Sequence, residues 1–287
     1  MRQRCSSHFA GWNLMWATDD YNRMYICDDH DEDLPEEIKR LQGTLGWAVI
    51  EPANVQKLQI EEITIPYDSR APIVGSGCFE YDVVDDAHDE IYHIPNETIK
   101  RICISEGILY LCTSAFYGLC VLQHVILPRT LRYIGAGSFC DTGLKQISIP
   151  DSVRYIGSRC FEGCKHLEEC RLPNHIDKIR ASTFENCYSL RQIALPTNLQ
   201  AIETDAFRSS GITMVSFPEG LRTIQSGAFV ECESLFSVML PRSLTSIAAN
   251  AFDSPEVNPL LTFYVYSGSY GLMWAREHGY KVLSAEI

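Results

Sequence analysis

Residues 190–211 read LRQIALPTNLQAIETDAFRSSG, and this stretch is one complete unit of an internal repeat. Its phenylalanine belongs to a column with steps of 22 or 23 residues: Phe116, Phe139, Phe161, Phe184, Phe207, Phe229 and Phe252. Prolines from Pro128 to Pro241 and isoleucines from Ile134 to Ile247 recur at the same steps. Three columns in one register predict a repeat protein.

The unit also predicts its own local structure. Ile193 and Leu195 alternate with polar or small residues, which is typical of a short strand, and Pro196 ends it. A second apolar step follows, and then a compact turn around Phe207 that we expect to be a single helical turn. Burial of each apolar side chain gains roughly 1.5–3 kcal/mol, whereas ordering the backbone costs about 1–2 kcal/mol per residue. One unit is therefore unstable alone and must stack on its neighbours as a solenoid.

The motif around each repeat phenylalanine is more specific: it reads AFYGL at 115–119, SFCDT at 138–142, CFEGC at 160–164, TFENC at 183–187, AFRSS at 206–210, AFVEC at 228–232 and AFDSP at 251–255. With the proline after the strand, this pattern resembles the BspA-like leucine-rich-repeat family. The resemblance implies a β-rich α/β repeat protein, a right-handed leucine-rich-repeat solenoid of short strands and single helical turns. It also implies a surface or secreted adhesion role, with a host-protein or matrix partner.

The repeat divides the chain into three parts. Residues 1–57 lie outside it and are expected to form an acidic N-terminal cap or a small non-repeat region, with a helix near Glu36–Leu45. Residues 58–261 should form about eight turns, interrupted by an acidic insertion near 82–97. Residues 262–287 should form a strand-helix-strand cap, whose helix begins after Ser269 and stops at Gly279.

Charge limits the classes of function. The net charge is −13, and the first 100 residues hold 20 acidic and 8 basic residues. This excludes a general nucleic-acid binder. The sequence has no apolar run of about 18 residues, so we expect no transmembrane segment. The N-terminus lacks an ordinary secretory signal, which favours the cytoplasm, whereas the family resemblance favours the cell surface or secretion.

Cysteines are numerous, with 12 in the chain, but no CxxC pair is present. Cys164, Cys187 and Cys232 each follow a repeat phenylalanine by three residues, so we expect buried thiols of the core. A bridge between Cys164 and Cys187 is geometrically allowed in stacked turns, although we expect both to be unbridged. No nucleophile-elbow or local Cys-His motif is present, so no catalytic residue is assigned.

Two acidic segments, 27–37 and 82–90, carry many oxygen ligands. In the first, aspartates alternate as in a calcium loop, but Leu34 and Arg40 occupy the positions that need glycine and glutamate. Solvated acidic loops are the better interpretation of both. We expect no metal site and no cofactor.

The remaining candidate is the outward side of the predicted strands. Residues that flank each central apolar residue point away from the core and form two columns, which we call the outward face. The first column is Arg101, His124, Gln146, Glu169, Gln192, Met214 and Ser237. The second is Cys103, Ile126, Ser148, Arg171, Ala194, Ser216 and Met239. The candidate binding residues are the whole first column together with Ile126, Arg171 and Met239.

A solenoid presents such columns as a long concave surface. The leading hypothesis is therefore a non-enzymatic interaction scaffold whose outward face binds a protein, with a glycan as another partner class. The first alternative is an exported cell-surface adhesin or effector. The second is an enzyme or metal-binding activity carried by residues 1–57.

Overall fold

The computed structural model describes residues 6–9, 12–17, 47–50, 61–65, 73–74, 80–85, 90–95 and 97–285. It is a β-solenoid of about eight turns with one short C-terminal helix. The strands are β1 (Ser6–Phe9), β2 (Trp12–Ala17), β3 (Trp47–Ile50), β4 (Glu62–Ile65), β5 (Ile73–Val74), β6 (Glu80–Asp85), β7 (Glu90–Pro95), β8 (Arg101–Ile104), β9 (Tyr110–Leu111), β10 (His124–Ile126), β11 (Tyr133–Ile134), β12 (Gln146–Ser148), β13 (Tyr155–Ile156), β14 (Glu169–Arg171), β15 (Lys178–Ile179), β16 (Ala201–Ile202), β17 (Met214–Ser216), β18 (Thr223–Ile224), β19 (Ser237–Met239), β20 (Ser246–Ile247), β21 (Thr262–Val265) and β22 (Lys281–Ser284). The helix, α1, spans Tyr270–Glu277.

The first strand of each turn forms a series of parallel sheets, in the orders β4-β8-β10, β12-β14 and β17-β19-β21-β22. Each strand alternates between the core and solvent. In β12, for example, Ile147 is buried while Gln146 and Ser148 are exposed. The two-residue period therefore fills the core with one set of side chains and leaves the other set outside.

One predicted strand is missing: the first strand of the repeat unit at residues 190–211. Residues 191–196 form no strand, although the alternation of Ile193 and Leu195 predicted one. Both side chains are only half-buried, whereas their counterparts Ile147 and Ile149 are buried. The sheet is therefore interrupted between β14 and β17, although the Thr213 N–H still donates to the Arg191 carbonyl at 3.1 Å.

The second strand of each turn forms two further parallel sheets, with the orders β5-β9-β11-β13 and β15-β16-β18-β20. Equivalent isoleucines pair directly across neighbouring turns, as Ile202 does with Ile224 and Ile224 with Ile247. Residues that share a column in the sequence are therefore direct neighbours in adjacent turns of the solenoid.

The phenylalanine column is the continuous centre of the core. Consecutive rings from Phe116 to Phe252 stack with centroid separations from 5.0 to 5.5 Å. The backbone joins the same neighbours, because the N–H of Phe184 donates to the Ala206 carbonyl at 2.8 Å. Ring stacking and backbone hydrogen bonds thus hold adjacent turns in one register.

The predicted single helical turn is a run of hydrogen-bonded turns rather than a piece of α-helix. The N–H of Cys187 donates to the Phe184 carbonyl three residues earlier at 3.3 Å. On either side of Phe184, Ser182 and Asn186 have φ values of 54° and 60°. These left-handed residues reverse the backbone before an α-helix can propagate.

The cysteines behave as small core residues. Cys164, Cys187 and Cys232 are buried free thiols. Each donates to the carbonyl of the repeat phenylalanine of the preceding turn, as Cys164 does to Phe139 at 3.1 Å. Burial raises the pKa of the Cys164 and Cys232 thiols to about 11, which keeps both protonated at neutral pH.

The C-terminal cap has the predicted strand-helix-strand order of β21, α1 and β22. The Ser269 hydroxyl accepts from the Leu272 N–H at 3.2 Å, and Gly279 follows the helix with a φ of 76°. Trp274 of α1 packs on Phe252, the last ring of the column, with 6.0 Å between centroids. The cap therefore covers the apolar end of the stack.

Towards the N-terminus, β1, β2 and β3 form an antiparallel sheet, which the sequence had not predicted. The acidic insertion was expected to be a loop around 82–90, but β6 and β7 pair there as an antiparallel hairpin. Cross-strand pairing between the two halves of the insertion supplies hydrogen bonds that no local pattern reveals. The predicted helix at Glu36–Leu45 and the acidic segment 27–37 lie outside the described residues.

Candidate functional site

Regular strand register builds the outward face. His124 lies beside Arg101, Gln146 beside Glu169, and Met214 beside Ser237. Most of the predicted residues are exposed, while His124 and Ser237 are half-buried. Gln192 is exposed as predicted, but it lies in the segment that forms no strand.

The centre of the outward face is a polar cleft of about 710 Å³. Its lining combines residues of the first column with those just before them: His124, Lys145, Gln146, Glu168, Glu169, Arg191 and Gln192. Within the described part of the chain, the Lys145, Glu168 and Glu169 side chains form no ion pair or hydrogen bond. The cleft therefore presents charges of both signs and two amides to a ligand.

Arg171, in the second column, is instead fixed by contacts with other residues of the solenoid. Its Nη2 donates to the Asp151 carboxylate at 2.9 Å, and its Nη1 lies 3.5 Å from the Ile149 carbonyl oxygen. The hydrogen bond from Arg171 lowers the pKa of Asp151. Because both groups are half-exposed, the ion pair adds little stability and mainly fixes where the guanidinium lies.

The C-terminal end of the outward face is apolar. Met239 lies beside Tyr264, and Tyr264 beside Leu283, in successive strands. Met214, Met239 and Leu283 are 47%, 37% and 44% exposed. We call Met239, Tyr264 and Leu283 the apolar row; Met214 lies in the neighbouring first column, beside Ser237.

Sequence reasoning found the two methionines but missed Tyr264 and Leu283. Those two residues lie in the C-terminal cap, where the repeat motif had ended. Extending the second column into the last two strands would have identified them, because β21 and β22 continue the parallel register.

Two other kinds of site have no support in the ranges that the structure describes. Those residues include no cluster of three or more histidine, cysteine or acidic side chains placed to hold a metal ion. None of their helices has the length and apolar character needed to span a membrane.

Comparison with known proteins identifies the repeat. Residues 92–213 and 200–261 match the model of the BspA type leucine-rich repeat region, in six copies. The chain belongs to the BspA-type leucine-rich-repeat family. The expected family resemblance is thus confirmed over more than half of the sequence.

Several solved structures of the same repeat class are similar to this BspA-type chain. One is a leucine-rich repeat protein from Bacteroides ovatus, with 16% identity and a TM-score of 0.44 over 93% of this chain and 78% of that one. Another, the leucine-rich repeat protein TpLRR from T. pallidum, has 25% identity and a TM-score of 0.40 over 71% of this chain and 95% of that one. A third, from Eubacterium ventriosum, has 21% identity and a TM-score of 0.49 over 68% and 59%. No curated protein sequence matches significantly.

Proposed function

We propose that this BspA-type protein is a non-enzymatic scaffold whose outward face binds a protein partner. The observation that carries the proposal is the pairing of a polar cleft with the apolar row on that face. The inward residues form the core, and backbone hydrogen bonds join neighbouring turns. The charged side chains of the cleft and the exposed methionines contribute little to the stability of this stack.

The chemistry of the face suits a protein better than a small molecule. Protein interfaces place apolar and polar surface side by side, and methionine is enriched in them. Clustered exposed apolar residues are typical of an interaction surface. Methionine side chains also adapt to the shape of a partner at small energetic cost.

The test is affinity capture from cells of the source organism with wild-type chain and a Met214→Ser/Met239→Ser variant. The expected result is a protein captured by the wild type and lost from the variant. A Leu260→Ser/Met273→Ser variant is the matched control, because those apolar residues are 75% and 62% exposed but lie outside the outward face. Equal capture by all three chains would contradict the proposal.

An exported adhesin and an intracellular scaffold differ in where in the cell the chain binds its partner. Protease treatment of intact cells, followed by mass spectrometry of the released peptides, distinguishes the two. Release of this chain's peptides while a cytosolic marker stays intact would support the exported alternative. Peptides that appear only after lysis would support the scaffold inside the cell.

A further inference from the structure

A second cleft, of about 400 Å³, lies beside the outward face. Its lining comes from three consecutive turns and includes Tyr188, Arg191, Ser209, Glu233 and Ser234. Only Arg191 is shared with the polar cleft of the outward face. The second cleft is thus a separate site whose ligand does not depend on the protein partner proposed above.

Tyr188 supplies an aromatic surface. Tyr188 is 51% exposed, whereas Tyr133 and Tyr155 of the solenoid are buried. The phenol donates to Asn186 Oδ1 at 3.0 Å. Since this hydrogen bond occupies the hydroxyl and restrains the ring, the ring surface is the part of Tyr188 best suited to contact a ligand.

Arg191 is held in place at the cleft. Its Nη1 donates to the Gly211 carbonyl at 3.3 Å and to Ser234 Oγ at 3.0 Å. Gly211 is required in this wall, because a Cβ there would lie 2.1 Å from the Tyr188 carbonyl oxygen. The remaining N–H groups of the guanidinium are donors of fixed position.

Two carboxylates at the cleft differ in their availability. Glu231 accepts from Arg208 and Ser209, at 2.5 and 2.7 Å, so both of its oxygens are engaged. Across the described residues, the Glu233 carboxylate forms no ion pair or hydrogen bond. The available groups are therefore one carboxylate acceptor and one guanidinium donor, whose charges cancel.

We infer that this cleft binds a neutral saccharide. The C–H-rich face of a pyranose ring would pack on Tyr188, and its hydroxyls would donate to Glu233 and accept from Arg191. Glu231 is already paired with Arg208, and Glu233 and Arg191 carry opposite charges, so the cleft favours neither an anionic nor a cationic ligand. A neutral ligand rich in hydroxyls satisfies the donor, the acceptor and the ring together.

The test uses the full chain, labelled with a fluorophore, on an array of neutral hexose- and N-acetylhexosamine-terminated glycans beside sialylated and sulfated ones. Binding to neutral glycans is expected. Titration calorimetry with the best neutral glycan then compares variants. Tyr188→Ala and Glu233→Ala should each weaken binding about tenfold or more, since each removes a principal contact.

Two further variants separate ligand contact from folding. Tyr188→Phe should keep most of the affinity, because the ring and not the engaged hydroxyl contacts the sugar. Tyr117→Ala, at another exposed tyrosine, should leave affinity unchanged. Absence of neutral-glycan binding, preference for acidic glycans, or full affinity in Tyr188→Ala with an unchanged circular dichroism spectrum would each overturn the inference.

Discussion

At the residue scale, the repeat phenylalanines explain why the columns of the sequence are so regular. Phe184 is fully buried between the rings of Phe161 and Phe207, at centroid distances of 5.5 and 5.3 Å. A smaller side chain at this position would leave a cavity shared by three turns. The column is thus constrained by volume as well as by hydrophobicity.

Phe184→Ala should lower the free energy of unfolding by about 3–5 kcal/mol, because it removes a buried ring and leaves a cavity. Denaturant unfolding followed by circular dichroism measures the change. The matched control is Phe236→Ala, since Phe236 is 46% exposed and should cost less than about 1 kcal/mol. A loss at Phe184 no larger than that of the control would refute the assigned register.

The buried thiols predict a dependence on alkaline pH. Burial raises the pKa of Cys164 and Cys232 from 9.0 to about 11. A raised folded-state pKa means that stability is fully present below the unfolded value and is lost as pH rises through the folded value. The free energy of unfolding should therefore fall between about pH 9 and pH 11.

A Cys164→Thr/Cys232→Thr variant tests this cause. Threonine is tolerated in the same column at Thr142, where its hydroxyl donates to the Phe139 carbonyl at 2.9 Å. The variant should lose less stability than wild type over that pH range, by roughly 3–5 kcal/mol, because two raised thiols are removed. Identical slopes for the two chains would show that other groups cause the alkaline loss.

Much of the residue-scale description could be predicted from sequence. The buried phenylalanines and the exposed columns follow from spacing alone, because stacking turns equivalent positions into equivalent environments. The left-handed residues could not be predicted in this way. At these turn positions the chain uses Arg159, Asp205 and Glu231 as well as glycine, so the backbone requirement is hidden by varied side chains.

At the element scale, the residues that start and stop a helix predicted its bounds correctly, because they act within one turn of backbone. The helix α1 begins after Ser269 and ends before Gly279 as predicted, since both residues act through their own turn of backbone. Elements that depend on distant partners were not predicted: the hairpin of β6 and β7 needs a cross-strand register. The strand expected at Ile193 does not form, because strand pairing depends on the alignment of neighbouring turns as well as on local alternation.

Ser269→Ala should destabilise the C-terminal cap by about 1 kcal/mol, because the Leu272 N–H loses its acceptor. Thermal unfolding and hydrogen exchange of the α1 amides measure this loss. Ser269→Thr keeps an acceptor oxygen at the same place and should retain most of the stability. Equal losses in the two variants would show that packing, and not capping, matters at this residue.

At the scale of the whole molecule, stacking separates structure from recognition. One set of side chains fills the core through the phenylalanine and isoleucine columns, while the outward face is left to vary. Because the core columns repeat one residue type in every turn and the outward columns do not, the repeat pattern predicts the fold and carries no information about the partner. The polar cleft follows from residues of the first column, such as the glutamine of β12, and the apolar row from residues of the second, such as the Met239 side chain of β19.

The most direct test of the central claim, that the outward face binds a protein, is site-specific photo-cross-linking in cells of the source organism. A photoreactive residue replaces Gln192 of the outward face or Gln200, an exposed glutamine beside the second strand of the same turn. The account predicts a cross-linked protein of defined mass at Gln192 and little or none at Gln200. Equal cross-linking at both positions, or cross-linking at Gln200 alone, would contradict it.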